Sequence, residues 1–181
     1  MSDIIQLLEE MRASSGDAVT IGLPNNVILD FAKRDSNIGR SIEEVHSKQS
    51  EFNSEHLMMH ETELISHLQE DFVNFYSPAT VNPYVAISAR GPWVVTSHGA
   101  VLHDNGGYGM LGGGHGPSDI IDVMSKNHVM ANVMTASFSQ ARLAEALKKE
   151  LGHTRGSCPF SKFICMNSGS ESMTVAMRIC D

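Results

Sequence analysis

The sequence predicts an α/β fold in which a helical N-terminal arm precedes the start of a sheet domain. Three observations support this fold class. Residues 2–76 place apolar side chains at helical spacing. Near Asn82-Pro83 the composition changes, and glycine and β-branched residues become frequent. Further on, the apolar run 163–166, a glycine turn and a helical pattern follow in the order strand, turn, helix.

The composition narrows the range of functions. The chain has 181 residues, of which 41% are hydrophobic, so a packed core is expected. A net charge of -8 without a Lys/Arg cluster predicts no nucleic-acid partner. No apolar run approaches the roughly 18 residues of a membrane span, and the acidic N-terminus is unlike a signal peptide. Three cysteines without a C-x-x-C pair predict a reducing, cytoplasmic location and no disulfide framework.

The first predicted region, residues 1–80, is a helical N-terminal extension. Ile4, Leu8 and Met11 form one stripe of a helix over residues 2–12, and a short helix is expected over 25–34. Ser41 and Glu44 have the spacing of a capping box, which predicts that a helix begins at Ser41. The helical pattern then continues, with a break, to Tyr76. Its clearest apolar face comprises Ile65, Leu68, Phe72 and Phe75.

The second predicted region, residues 81–135, contains a hairpin and a glycine-rich segment. Residues 93–96 and 100–103 have the pattern of two strands joined by Ser97-His98-Gly99. A glycine-rich loop follows from Asn105 to Gly116. Pro117 is well placed to open a helix through Lys126, and residues 129–134 favour a short extended piece.

The third predicted region, residues 136–181, is the incomplete start of a larger domain. Ser137 and Gln140 form a second capping box, ahead of a helix with Leu143, Leu147 and Leu151 on one face and a stop at Gly152. Phe163–Met166 is predicted to be a strand covered on both faces, and a helix is expected from Glu171 to Cys180. One such strand cannot form a parallel sheet alone, so we expect a fragment of a longer protein or a missing partner chain.

The strongest candidate site is the turn Asn167-Ser168-Gly169-Ser170-Glu171 between that strand and that helix. A helix start presents free N–H groups, and the helix dipole favours an anion there. Gly169 permits close approach of the backbone, and Ser170 adds a hydroxyl group. The alternative is an ordinary capped turn that binds no ligand.

Two other patterns are weaker. Residues 107–112 read G-x-G-x-x-G, but more glycines and a proline separate them from the next helix, which favours a loop that shapes a cleft over a dinucleotide site. His56 and His60 are four residues apart on a predicted helix. Leu57 stands where a zinc-protease motif needs Glu, so solvated helix-face histidines and no metal site are expected. No pairing of nucleophile and base suggests a Ser-His-Asp site.

Taken in order, the motifs resemble class III aminotransferases. The resemblance covers about residues 93–181. In that family a glycine hairpin and a glycine loop are followed by Gly-His-x-x-Pro, then by a helix and a Ser-Gly-Ser-Glu-Ala loop. The matching residues are 98–109, Leu111-Gly112, His115-Gly116-Pro117, 141–147 and 167–172.

The resemblance implies the N-terminal part of a fold-type I transferase that depends on pyridoxal 5'-phosphate. Ser168, Gly169 and Ser170 would bind the cofactor phosphate, and substrates would be an amino donor and a 2-oxo acid. The catalytic lysine lies downstream of this loop in the family, so no catalytic residue is assigned here; Lys148, Lys149 and Lys162 precede the loop. A homodimer is implied, because such enzymes build their sites between subunits.

The sequence departs from the family in three places. Gly112–Gly114 add glycines, Thr174 stands where many members have Glu, and residues 1–80 are long for the family's N-terminal arm. These departures leave the substrate open. The alternatives are an acyltransferase of the same fold and cofactor, a non-catalytic fragment that docks on a partner chain, and a nucleotide-binding domain that uses the glycine loop.

Overall fold

The computed structural model describes residues 2–73, 77, 84–105, 112–129 and 134–180. Over these ranges the protein is mixed α/β, with many helices and one small antiparallel sheet of three strands. The chain divides into two compact units, Met1–Asn127 and His128–Asp181. None of the helices in the described ranges is long and apolar enough to cross a membrane.

The first unit begins with helices and continues into the sheet. Its elements are α1 (Ser2–Ala13), α2 (Asn25–Ala32), α3 (Ser36–Lys48), a 3-10 turn (Gln49–Glu51), α4 (Ser54–Leu57), α5 (Glu61–Leu68), β1 (Ala86–Arg90), β2 (Trp93–Thr96), β3 (Val101–His103) and α6 (Ser118–Met124). The predicted helices over 2–12, over 25–34 and after Pro117 are confirmed. The second unit contains α7 (Phe138–Gly152) and α8 (Gly169–Cys180).

The core of the first unit surrounds α3. This helix contacts α1, α2, β1 and β2, and its residues Ile38, Ile42 and Val45 are fully buried. They meet the predicted α1 stripe, in which Leu8 and Met11 are fully buried, and the sheet residues Trp93, Val95 and Val101. Each fully buried side chain of this kind contributes about 1.5–3 kcal/mol to folding. The core therefore joins the N-terminal helices and the hairpin.

The predicted start of α3 is wrong. The helix begins at Ser36, and its N-cap is Asp35, whose carboxylate accepts a hydrogen bond from the backbone N–H of Asn37 at 2.9 Å. Ser41 lies inside the helix and is fully buried. The capping spacing from Ser41 to Glu44 is therefore coincidental, because an earlier residue already satisfies the helix start.

The apolar face predicted for the helix that follows is also wrong. α5 ends at Leu68, which is 47% exposed, and Phe72 beyond it is 79% exposed. The side chains that α5 buries are Leu64 and the acidic Glu61. A helix this short has one inward face, and a hydrogen-bonded carboxylate occupies part of it. Residues 74–76, including Phe75 and Tyr76, lie outside the described residues.

The hairpin is confirmed and extended by one strand. β2 pairs antiparallel with β3, with Val94 opposite Leu102. A strand that the sequence reasoning missed, β1, pairs antiparallel with β2 from Arg90–Trp93 to Ala86–Thr96, with an irregularity between Ala86 and Ser88. The sequence Ala-Ile-Ser-Ala-Arg of β1 has little β-branched or aromatic character, so its pairing depends on β2 rather than on its own propensity.

In the second unit, the start of α7 is confirmed and the predicted strand is wrong. The Ser137 hydroxyl accepts from the Gln140 N–H at 3.2 Å, and the Gln140 side chain accepts from the Ser137 N–H at 3.3 Å. Residues 134–180 contain no strand, and Ile164 is 65% exposed. An apolar run becomes a strand only beside another strand, and these residues provide none. The piece predicted at 129–134 lies mostly outside the described residues.

Candidate functional site

The candidate anion-binding turn is held by a capping box at the start of α8. The Ser168 hydroxyl accepts a hydrogen bond from the Glu171 N–H at 3.2 Å. In return, Glu171 Oε2 accepts from the backbone N–H groups of Ser168 at 3.1 Å and of Asn167 at 3.0 Å. The hydroxyl group and the backbone N–H of Ser168 are therefore both engaged in the cap. The turn has a defined shape before any ligand binds.

The donors that remain belong to the other two candidate residues. Within residues 134–180, no acceptor is hydrogen-bonded to the backbone N–H of Gly169 or of Ser170. A Cβ atom placed on Gly169 would meet nothing within 4 Å, so the space in front of this backbone is open. Two neighbouring N–H groups at the positive end of a helix can hold a phosphate oxygen.

The hydroxyl groups around the turn differ in their availability. Ser172 Oγ donates to the Ser168 carbonyl and Thr174 Oγ1 donates to the Ser170 carbonyl, each at 3.0 Å. The Ser170 side chain is exposed at the helix start. The Glu171 carboxylate places a negative charge at the same helix end, which weakens the attraction for an anion. A ligand here would therefore depend on directed N–H groups more than on net charge.

The second unit also has an apolar groove of about 630 Å³ between α7 and the segment 161–165. Leu143 and Leu147 of the predicted α7 face line it, together with Phe163 and Ile164 of the apolar run. Lys162 is the one lysine on its wall. Leu143, on the wall of the groove, is half exposed.

The glycine-rich segment can be described only in part, because Gly106–Leu111 lie outside the described residues. Its later portion is tied to the sheet. Gly91 and His115 exchange two backbone hydrogen bonds of 2.9 and 2.8 Å. Gly114 has φ +76, and a Cβ there would stand 2.9 Å from Gly91 Cα, so the close approach of the two chains requires glycine.

Sequence reasoning missed a polar cavity of about 410 Å³ in the first unit, whose wall includes Arg12, Asp17 and His98. His98 is 2% exposed; its Nε2 lies 2.9 Å from the Met59 carbonyl oxygen and its Nδ1 lies 2.9 Å from Ser97 Oγ. Since a carbonyl only accepts, Nε2 carries the proton and Nδ1 accepts from the hydroxyl. His98 therefore fastens the hairpin turn to the chain before α5.

The predicted pairing of His56 and His60 on one helix is wrong. α4 ends at Leu57, and His60 is the N-cap of α5, where its Nδ1 accepts from the Thr62 N–H at 3.3 Å. His56 instead contacts His67. Over the described ranges, no group of three or more His, Cys, Asp or Glu side chains is arranged to hold a metal ion.

Comparisons of the chain with protein-family models, with curated proteins and with solved structures give no match. The functional interpretation therefore depends on the residues themselves.

Proposed function

We propose that this chain supplies the phosphate-binding turn of a pyridoxal-phosphate-dependent aminotransferase, which moves an amino group from an amino donor to a 2-oxo acid. The observation that carries the proposal is the pair of unengaged N–H groups on Gly169 and Ser170, beside open space at a capped helix start. The order of motifs that resembles class III aminotransferases selects this cofactor among possible anions. No residue of the chain is assigned a catalytic role.

Some residues of the turn would bind the cofactor phosphate and others would hold the turn in shape. The Gly169 and Ser170 N–H groups and the Ser170 hydroxyl would donate to the cofactor phosphate, and the Ser168–Glu171 box would hold the turn in shape. When bound, the cofactor supplies an electron sink for cleavage of bonds at the substrate carbon. The absence of a Cβ at Gly169 leaves the close approach that a phosphate needs.

A titration of the chain with pyridoxal 5'-phosphate and with pyridoxal, which lacks the phosphate, tests this proposal. We expect the wild type to prefer the phosphorylated form and Gly169→Val to lose that preference. Ser170→Ala should lose less, because one hydroxyl is removed and both N–H groups remain. The matched control is Ser139→Ala, since Ser139 holds the same position in the capping box of α7 that Ser170 holds in α8.

Gly169→Val should leave the fold intact, because a Cβ there meets no atom within 4 Å. Circular dichroism of each variant confirms this point. Equal preference for the phosphorylated form in the wild type and Gly169→Val would overturn the assignment of the turn. Loss of the preference in Ser139→Ala would place phosphate binding at the start of α7 and would also overturn the assignment.

A second candidate function is assembly without chemistry, in which the chain docks on a partner. The exposure of the apolar run favours it: Ile164 is 65% exposed, and Met173 and Met177 of α8 are 62% and 60% exposed. Apolar side chains that remain exposed to water are typical of a docking surface when they form one patch. The same exposure is compatible with the homodimer that the resemblance implies.

Light scattering tests whether the exposed apolar side chains of the second unit cause the chain to associate. We expect the purified chain to self-associate, and Ile164→Lys to reduce the associated fraction. The control is Phe72→Lys, a comparably exposed apolar residue of the first unit. A monodisperse monomer that binds no apolar dye would contradict both the docking function and the homodimer.

A further inference from the structure

The rings of His56 and His67 converge on one point between α4 and α5. Their Nε2 atoms are 3.1 Å apart, whereas their ring centroids are 4.6 Å apart, with an angle of 58° between the ring planes. The two nitrogen tips are therefore closer to each other than the rings are. His56 is half-buried and the His67 side chain is 42% exposed, so the point between them is reached from solvent.

The same distances depart from a linear hydrogen bond and are compatible with two imidazoles that share one ion. In a linear N–H···N bond of this length the centroids would stand about 5.4 Å apart. Two imidazoles that share one ion at about 2.05 Å, with nitrogens 3.1 Å apart, subtend about 100° at the ion and place their centroids about 4.8 Å apart. The observed 4.6 Å lies much nearer the second value.

We propose that His56 and His67 bind one divalent transition-metal ion, with Zn²⁺ as the representative, through their two Nε2 atoms. Imidazole nitrogen is a preferred ligand of Zn²⁺, Ni²⁺ and Cu²⁺, whereas Mg²⁺ and Ca²⁺ prefer oxygen. Water completes the coordination beside the two ligands that converge here from the described part of the chain. The site is independent of the phosphate-binding turn and of the function proposed for it.

Glu70 places a negative charge near one of the ligands. Its Oε2 lies 3.8 Å from His67 Nδ1, which is beyond hydrogen-bond distance, so its attraction for a bound cation acts through space.

The ion would clip α4 to α5, two short helices that depend on tertiary contacts. The corner between them contains Met59, whose carbonyl accepts from His98. The first residue of α5, Glu61, accepts from the Val19 and Thr20 N–H groups. Metal binding to the folded form stabilises that form by mass action. Zn²⁺ would therefore stabilise the corner that holds the hairpin turn and the 17–20 loop.

Isothermal titration with Zn²⁺ alone, and with Mg²⁺ alone, tests the site on the whole chain. We expect the wild type to bind one equivalent of Zn²⁺ that His56→Ala and His67→Ala lose or bind at least about tenfold more weakly. His153→Ala, an exposed histidine of the second unit, should retain that equivalent, and Mg²⁺ should not bind. Thiols of the three free cysteines can also take zinc, but they remain in every variant, so only the lost equivalent counts.

Imidazole nuclear magnetic resonance of the wild type provides a readout that needs no variant. Zn²⁺ should shift the ring signals of His56 and His67 together and leave those of His153 in place. Unchanged His56 and His67 signals at saturating Zn²⁺ would overturn the proposal. So would an equivalent that His60→Ala abolishes and His67→Ala retains.

Discussion

The indole Nε1–H of Trp93 donates a hydrogen bond to Asp35 Oδ2 at 2.8 Å. The other oxygen of this carboxylate accepts from the Asn37 N–H and caps α3. One side chain therefore starts the central helix and fastens the first residue of β2 to it. Trp93 is 2% exposed, and its ring also meets Phe31 at 4.9 Å and His103 at 5.0 Å between centroids.

Replacement of Asp35 by alanine should lower the free energy of unfolding by about 2–3 kcal/mol, because the cap and the partner of a buried indole N–H are lost together. Asp35→Asn should cost less, since its amide oxygen can serve one of the two donors. Urea denaturation monitored by tryptophan fluorescence measures the free energy of unfolding of both variants. The signal reports on Trp93, because it is the sole tryptophan of the sequence. Wild-type stability in Asp35→Ala would show that the carboxylate is dispensable.

Two glycines of the first unit should respond to alanine in opposite directions. Gly39 lies inside α3, and its added Cβ would meet only Ile4 Cγ2, at an ordinary 3.9 Å. Gly39→Ala should therefore stabilise the fold by about 0.5–1 kcal/mol through the lower backbone entropy of the unfolded chain. A Cβ on Gly16 would collide with the Met58 and Met59 carbonyl oxygens, so Gly16→Ala should destabilise by about 1–3 kcal/mol. Thermal melts measure the two melting temperatures, and a shift of both variants in the same direction from the wild type would contradict this prediction.

Sequence reasoning succeeded where the determining contacts are local. The start of α7 could be predicted because Ser137 and Gln140 satisfy each other within four residues. The hairpin could be predicted because two β-rich runs flank a short turn containing Gly99, which has φ +73. The capping geometry at Ser168 follows from the same local chemistry.

It failed where a distant residue decides. Asp35, and not Ser41, starts α3. Its cap on the Asn37 N–H is local, but its other oxygen accepts from Trp93, 58 positions away. Glu61 is buried because backbone N–H groups about forty residues earlier in the chain bind it. The run Phe163–Met166 has the composition of a buried strand. Strand formation also depends on neighbouring strands, which the residues of the run do not specify.

The 181-residue chain should show no transaminase turnover, because the lysine that such enzymes need follows the phosphate loop in the family that the motifs resemble. Borohydride reduction in the presence of pyridoxal 5'-phosphate, followed by peptide mapping, is the measurement. We expect low, scattered labelling of surface lysines such as Lys148, Lys149 and Lys162. Stoichiometric labelling of one lysine together with turnover would refute this expectation.

The ion pairs of Glu44 should make part of the stability depend on pH. A hydrogen bond from Lys48, assisted by the nearby Arg90 guanidinium, lowers the pKa of Glu44 below its ordinary value of 4.5. A carboxyl whose pKa is lower in the folded state stabilises the fold above the unfolded pKa, and that contribution is lost as the pH falls through the folded pKa. Glu44→Gln should therefore destabilise by about 0.5–1 kcal/mol at pH 7 and by less near pH 3.

Urea midpoints of the Glu44→Gln variant at the two pH values, with the exposed Glu43→Gln as control, measure the difference. An equal loss at both pH values would assign the effect to packing.

Glu61 is expected to act as a hydrogen-bond acceptor more than as a charge. It is fully buried, and its Oε2 accepts from the Val19 N–H at 2.7 Å and the Thr20 N–H at 2.6 Å, while its Oε1 has no partner in the described part of the chain. Glu61→Ala should destabilise by about 3 kcal/mol, because the 17–20 loop loses its anchor and leaves a cavity.

The variant Glu61→Gln distinguishes the hydrogen-bond acceptor at this position from its negative charge, because it keeps the first and removes the second. Its amide oxygen can take both N–H groups and its amide nitrogen can occupy the place of the unpartnered Oε1, so the change should stay within about 1 kcal/mol. The control is Glu63→Ala, an exposed glutamate of the same helix, which should shift stability by no more than about 0.5 kcal/mol. The measurement is urea denaturation of the three variants beside the wild type. If Gln destabilises as much as Ala does, the negative charge itself holds the loop.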